Sequence, residues 1–137
     1  MFADEKAITN LSRTEAWELL QSRTMGRLAV SVAGQPDIFP INYHADDNSV
    51  LMRTASGTKL LEVTINQSVA FETDVYGPHE AWSVVIKGQA VILENPADIA
   101  AAESLPLRSW IPTEKPVFIR ILPSEVTGRR FRLTSKS

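Results

Sequence analysis

The sequence lacks cysteine, has only two histidines, and contains no apolar run near the length of a membrane span. Without cysteine the chain forms neither disulfides nor thiolate metal sites. His44 and His79 show no paired spacing with carboxylates, so no metal site is expected. An α-helical membrane span needs about 18 consecutive apolar residues, and we therefore expect no membrane association.

An excess of positive charge is also missing. The chain carries 14 Lys and Arg against 16 Asp and Glu, which gives a net charge of −2 and a pI near 5.7. Nucleic-acid binding favours clustered basic residues, with interleaved aromatics for single strands, so nucleic acid is not expected as a partner. The first residues include acids and no long apolar core, unlike a signal peptide, and a cytoplasmic location is predicted.

Short apolar segments rich in β-branched residues alternate with turn residues along the chain. No repeat or composition break divides the 137 residues, which predicts a single domain over 1–137. The predicted strands are 26–33, 37–45, 50–54, 68–76, 80–94 and 116–122, with further apolar residues after the last. Six or seven strands with two or three short helices and no βαβ repeat predict a mainly β fold, a closed or partly closed antiparallel barrel.

Two helix starts have clear capping signals. Ser12 and Glu15 form a capping box, which predicts a helix that continues to about Gln21. Asn95 followed by Pro96 places a capping side chain before a proline at the first helical position. These signals predict one short helix before the strand 26–33 and another between the strands 80–94 and 116–122.

Two residues interrupt the predicted strands. Pro40 lies within the second strand and has no backbone N–H, so this strand is predicted to be an edge or to be bulged there. Gly88 lies within the long strand 80–94 and indicates a bend or a bulge.

The polar segment between the second and third strands predicts a tight hairpin. If Asp47 and Asn48 are its central residues, Tyr43 faces Met52. Asn42 then faces Arg53 on the same side of the sheet. The hairpin therefore predicts a polar pair at the end of the third strand.

That strand continues into a turn and a helix, "RTASGTKLLEV", residues 53–63. A helix N-terminus presents free N–H groups and the positive end of its dipole, and Arg53 and Lys59 add two cations. Gly57 lets a backbone approach a ligand closely. These features favour a phosphate site, although the pattern is not a Walker A loop. The alternative is an ordinary helix in which Ser56 or Thr58 is an N-cap and Lys59 is solvated, which composition alone favours.

Four stretches of the chain, in their order and spacing, resemble a known family. They are "GRLAVSVAGQPDIFPINY", "VLMRTASGTKLLEV", "VAFETD" and "WSVVIKGQA", and the likeness extends from about Gly26 to Leu93. They resemble the pyridoxamine 5′-phosphate oxidase-like flavoproteins, especially the small bacterial members that include the nitroimidazole-resistance type. The resemblance implies an antiparallel split β-barrel that forms a homodimer, with two FMN molecules at the subunit interface.

The resemblance also implies which residues of this chain contact FMN. The strand–turn–helix segment would hold the phosphate, the second strand would support the isoalloxazine ring, and the start of the long strand would close the site. Arg129 or its neighbour Arg130 would come from the second subunit. The residues assigned in this way are Pro40, Ile41, Asn42, Arg53, Ser56, Gly57, Thr58, Lys59, Trp82, Ser83 and Arg129.

By the same resemblance, the expected function is an FMN-dependent oxidoreductase that reduces or oxidises a small planar substrate at flavin N5. No catalytic side chain is identified. The alternatives are a flavin-binding module without turnover, or a deazaflavin- or haem-binding protein of the same fold. Oxidation of pyridoxamine phosphate itself is not expected, because the long C-terminal segment of those enzymes has no counterpart after "GRRFRL". The usual Ser-Arg-Lys of the phosphate turn reads Gly57-Thr58-Lys59, so Arg53 would supply the second cation.

Overall fold

The computed structural model describes residues 7–54, 57–107 and 117–133. Within these ranges the chain forms strands and short helices, and the bounds of β2 to β6 lie within two residues of the predicted strands. In chain order they are β1 (Ile8–Asn10), α1 (Arg13–Gln21), β2 (Met25–Val32), β3 (Gln35–Ala45), β4 (Val50–Thr54), α2 (Thr58–Ile65), β5 (Ser68–Tyr76), β6 (Glu80–Ile92), α3 (Pro96–Glu103) and β7 (Val117–Arg132).

The strands form one antiparallel sheet that closes on itself. Among the described residues the strand order is β1-β7-β4-β3-β2-β5-β6, and β7 also pairs with β6. The predicted mainly β, antiparallel split-barrel fold is confirmed. The short strand β1 was not predicted. β7 is longer than the predicted 116–122, because it continues past the pairing with β4 to meet β1.

The interior of the barrel holds the main hydrophobic core. Alternate residues of each strand point inward, as a two-residue side-chain period requires, and examples are Leu28, Phe71 and Ile121. The α1 helix adds Trp17 and Leu20 to this core. The Trp17 indole donates a hydrogen bond to the Asp46 carbonyl, which ties α1 to the β3–β4 turn.

A second, smaller cluster lies on the outside of the barrel. Leu51 of β4 and Phe118 of β7 point outward, yet both are only 2% exposed. Ala102 of α3 and Leu107 after it pack against them. The α3 segment therefore covers the outer face of the β4–β7 pair.

Both predicted helix caps are confirmed. The Glu15 N–H lies 3.1 Å from the Ser12 hydroxyl, and the Ser12 N–H lies 3.0 Å from the Glu15 carboxylate. The Asn95 side chain accepts from the Ala97 N–H at 2.8 Å. Within the described ranges, no helix combines the length and the apolar character needed to cross a bilayer.

The predicted irregularity at Gly88 is confirmed as a shift in the β6–β7 register between Lys87 and Gly88. The two backbones approach each other closely at this point. A Cβ on Gly88 would lie 2.2 Å from the Leu122 carbonyl oxygen, which is well inside any allowed contact. The bulge therefore depends on the absence of a side chain.

Candidate functional site

The β3–β4 hairpin has the predicted register. Tyr43 pairs with Met52, and the Asp46 N–H donates to the Ser49 carbonyl at 3.0 Å across the turn. The Asp46 carboxylate accepts from the backbone of Asn48 and Ser49 at 2.8 and 2.7 Å. Burial raises the pKa of Asp46, but these donors outweigh it and hold the pKa below its usual value.

Pro40 occupies a part of β3 that has a strand neighbour on one side only. In the sheet order β3 lies between β4 and β2. However, β4 pairs only with Tyr43 to Ala45, whereas β2 pairs with Gln35 to Asn42 and places Arg27 opposite Pro40. The strand is thus locally an edge at Pro40, as predicted, and the missing N–H interrupts no ladder.

The two residues after Pro40 point to opposite sides of the sheet. Ile41 is 3% exposed and belongs to the barrel core, so only its backbone is available to a ligand. Asn42 is half-buried on the outer face, where Pro40 is exposed. The predicted Asn42–Arg53 pair lies one position beyond the last paired residues, Tyr43 and Met52.

Arg53 lies on the outer face of β4, directly opposite Phe118 of β7. Its guanidinium carbon lies 5.8 Å from the centroid of the Phe118 ring. Its Nε is buried and has no hydrogen-bond partner among the described residues. Buried donors of a cation usually have an acceptor, so this nitrogen is available to bind an anionic group.

The helix that follows Arg53 begins without a capping side chain. Gly57 is the N-cap of α2, with φ 158° and ψ −160°, and the Leu61 N–H bonds to its carbonyl at 3.0 Å. This backbone region is open essentially to glycine only. The alternative in which Thr58 caps the helix is therefore wrong, because Thr58 is the first helical residue.

Three predicted contact residues of this segment have side chains outside what the structure describes. Ser56 lies outside the described residues, so its assignment stays a prediction. The backbone of Thr58 and Lys59 forms the first turn of α2, and their side chains also lie outside what the structure describes.

The remaining predicted residues form a separate group on β6 and β7. Trp82 packs against the barrel core, whereas Ser83 points outward between Asp74 and Arg129. β2 and β5 separate β3 from β6 in the sheet. Along β7, Phe118 and Arg129 are on the order of 30 Å apart in an extended strand. Pro40, Asn42, Arg53 and Gly57 lie on β3, β4 and the start of α2. Within one chain, Arg53 is therefore far from Arg129 and from Ser83, which pairs with Arg129.

A charged cluster that the sequence analysis did not identify lies next to Pro40. Arg27 Nη1 is 3.0 Å from Glu72 Oε1 and 3.1 Å from Asp74 Oδ1. Burial, followed by the adjacent Asp74 carboxylate, raises the pKa of Glu72 to about 7. The alternating acids of "FETD", residues 71–74, were the available sequence signal for a charged cluster. They did not identify Arg27 as the partner of Glu72 and Asp74.

Sequence reasoning also missed Phe118 and Arg120 on the outer face of β7. Arg120 lies opposite Leu51, and its Nε is buried without a partner among the described residues, like that of Arg53. It faces a different region, because it lines a cavity of about 430 Å³ with the Asp46–Ser49 turn. The described part of the chain contains no group of three or more His, Asp or Glu side chains suited to a metal ion.

The chain is similar to a known protein family and to several solved structures. The family model of pyridoxamine 5′-phosphate oxidase matches residues 12–130. A candidate pyridoxamine 5′-phosphate oxidase from Corynebacterium glutamicum superposes with a TM-score of 0.85 at 38% identity, covering 96% of this chain and 99% of that one. An FAD-binding protein from Mycobacterium smegmatis gives 0.81 at 42% identity, over 92% of this chain and 100% of that one. An FAD-binding protein from Mesorhizobium loti gives 0.80 at 27% identity, over 90% and 97%.

Proposed function

The chain belongs to the pyridoxamine 5′-phosphate oxidase family, as its sequence resemblance indicated, and on this premise we propose that it is a flavin-dependent oxidoreductase. The observation that carries the proposal is the Nε of Arg53, which is buried and has no partner among the described residues. It lies four residues before the N-cap of α2. A flavin phosphate would satisfy this donor together with the backbone N–H groups of the first helical turn. In the proposal Lys59 adds a second cation.

The ring system would lie along β3. Pro40 and Asn42 project from the outer face at the part of β3 that β4 does not accompany. Pro40 offers an apolar surface, and the backbone of Ile41 offers hydrogen-bonding groups without its side chain. When bound, the flavin supplies the redox chemistry, and the chain contributes orientation and electrostatics.

The flavin in this proposal is FMN or FAD. The resemblance of the sequence favours FMN, whereas two of the structural relatives are FAD-binding proteins. Both cofactors carry the phosphate that Arg53 would meet, and they differ only in the adenylate beyond it. The substrate would be a small planar molecule stacked on the exposed face of the ring.

We further propose that the protein acts as a cytoplasmic homodimer with a shared site. Trp82, Ser83 and Arg129 lie far from Arg53 within one chain, and a second subunit would supply them to the site. Ile38, on the outer face of β3 two residues from Pro40, is 63% exposed and gives a partner an apolar surface to cover. Sedimentation of the protein as a monomer at micromolar concentration would contradict this part of the proposal.

A binding titration tests the cofactor assignment. The purified protein is titrated with FMN, with FAD and with riboflavin, which has the same ring but no phosphate, and absorbance from 300 to 600 nm is recorded. We expect FMN or FAD to bind more tightly than riboflavin. Arg53→Gln removes a charge-assisted hydrogen bond and should lower the affinity for the phosphorylated flavin about 10- to 100-fold. The affinity for riboflavin should not change.

The matched control is Arg13→Gln. The guanidinium of Arg13 also lies 5.8 Å from an aromatic centroid, that of Trp17, but on α1. This variant should bind like the wild type. If neither FMN nor FAD binds, the proposal fails, and deazaflavin and haem are the next ligands to test.

Turnover is tested separately. Rapid mixing of the flavin-loaded protein with NADH or NADPH, followed by reoxidation with planar acceptors, measures whether electrons pass through the site. Reduction and reoxidation at rates above those of free flavin are expected. A protein that binds flavin but shows neither step would be a flavin-binding module without turnover.

A further inference from the structure

The ring of Phe118 lies against the one guanidinium that the proposed function assigns to the flavin phosphate. Phe118 and Arg53 occupy directly opposed positions on β7 and β4. The guanidinium carbon is 5.8 Å from the ring centroid, within the range of a cation–π contact. Phe118 itself is 2% exposed, so the contact lies away from bulk water.

Buried apolar residues of β4 and the α3 segment hold the ring in place. Leu51, Ala102 and Leu107 form one buried cluster with Phe118. The Phe118 carbonyl also accepts the Leu93 N–H at 3.0 Å, which fixes the strand to the segment that leads into α3. A side chain enclosed in this way offers a rigid surface to its neighbour.

A rigid aromatic surface has a specific effect on an arginine. A guanidinium that packs against a ring uses its face, whereas its N–H donors lie in its own plane and point to the sides. An arginine held against a ring in this way loses side-chain freedom without losing donors. The buried Nε of Arg53, which has no partner among the described residues, is such a donor.

We infer that Phe118 is a positioning residue for the flavin phosphate, acting through Arg53. This inference rests on the proposed function. Phe118 does not contact the phosphate in this arrangement. It holds the guanidinium in the orientation that the phosphate needs, so that binding does not have to order a free arginine side chain.

The test compares phosphorylated and unphosphorylated flavins on Phe118→Leu, which keeps an apolar side chain but removes the ring. We expect the affinity for FMN, or for FAD if that is the flavin bound, to fall about 3- to 30-fold, as loss of a cation–π contact implies. The affinity for riboflavin should not change. Phe118→Tyr keeps the ring and should retain the wild-type preference for the phosphorylated flavin.

Two controls separate positioning from general damage to the fold. Phe71→Leu removes a ring that is equally buried, at 1% exposure, and that contacts Tyr43 rather than a cation. It should lower stability without changing the ratio of FMN to riboflavin affinity. In an Arg53→Gln background, Phe118→Leu should cause no further loss of FMN affinity, because the residue through which it acts is gone.

The outcomes are distinct. The inference is overturned if Phe118→Leu lowers the affinities for FMN and riboflavin equally. It is also overturned if Phe118→Leu still lowers the affinity for FMN in the Arg53→Gln background. If Phe118→Leu does not fold, Phe118→Tyr decides, because loss of the phosphate preference in that folded variant would also contradict the inference. If the wild type does not prefer phosphorylated flavins over riboflavin, the proposed function itself fails.

Discussion

Arg27 and Glu72 face each other across β2 and β5, with Arg27 Nη1 3.0 Å from Glu72 Oε1. The same nitrogen lies 3.1 Å from Asp74 Oδ1, so two carboxylates share one guanidinium. The cluster therefore carries a net charge of −1 when both acids are ionised. Burial and the neighbouring Asp74 carboxylate together raise the pKa of Glu72 to about 7.

This arrangement predicts a pH dependence of stability. The folded-state pKa of Glu72, about 7, lies above its ordinary value of 4.5, so the folded chain binds this proton more tightly than the unfolded chain. The contribution is fully present below pH 4.5 and is lost as the pH rises through 7. We expect the free energy of unfolding to fall by roughly 1 kcal/mol over this interval, since solvent screens the partly exposed side chain.

Urea titrations at several pH values measure this slope, and Glu72→Gln supplies the comparison. The amide keeps the shape of the side chain but does not titrate. The variant should lose the decrease between pH 4.5 and 7 while retaining the contributions of other groups. A wild type and a variant with parallel pH profiles would contradict the assignment.

Gly57→Ala should impair both the fold and the proposed phosphate site. The φ of 158° and ψ of −160° at this N-cap are strained for alanine, although among the described residues a Cβ would meet no atom within 4 Å. The cost is conformational, about 1–3 kcal/mol in the free energy of unfolding. Calorimetry and FMN titration measure the two effects.

Gly34→Ala is the matched control for that substitution. Gly34 has φ 78° in the β2–β3 turn and also has open space around its Cβ position. It should lower stability while leaving the affinity for FMN unchanged. Equal effects of both variants on FMN affinity would show that Gly57 has no particular role in binding.

Gly88→Ala should be more damaging, for a steric reason. The new Cβ would lie 2.2 Å from the Leu122 carbonyl oxygen, and that atom belongs to the backbone of β7. We expect a loss of about 3 kcal/mol or more in the free energy of unfolding, because the strands must separate locally. Gly77→Ala, with its nearest atom at 3.1 Å in a turn, should cost less. Denaturant titrations that ranked the two variants in the reverse order would contradict this account.

The parts of the fold that local signals determine were predictable from the sequence. The turn at Asp47 and Asn48 defined the register of β3 against β4, because a tight turn leaves one pairing available. The caps at Ser12 and Asn95 depend on side chains within three residues of the helix start. Pro40 identified a local edge because proline lacks the donor that a central strand needs.

The parts that depend on distant pairing were not predictable. No turn connects β4 to β7, so nothing local placed Arg53 opposite Phe118. The same is true of Arg27 with Glu72, which are 45 positions apart. Arg53 and Gly57 could be identified as candidate site residues from their local segment. Phe118, whose ring contacts Arg53, could be identified only from the closed barrel, because β4 and β7 are far apart in sequence.

The long strand β7 has a consequence for how the protein is made. It comes after all the other described strands in the chain, and it pairs with β4, β6 and β1. A nascent chain therefore carries the unpaired edges of β4 and β6 until this segment leaves the ribosome. Such edges are templates for wrong pairing, and long-range strand pairing forms slowly. Productive folding thus waits for the final strand, and a chain arrested before it is the form most in need of a chaperone.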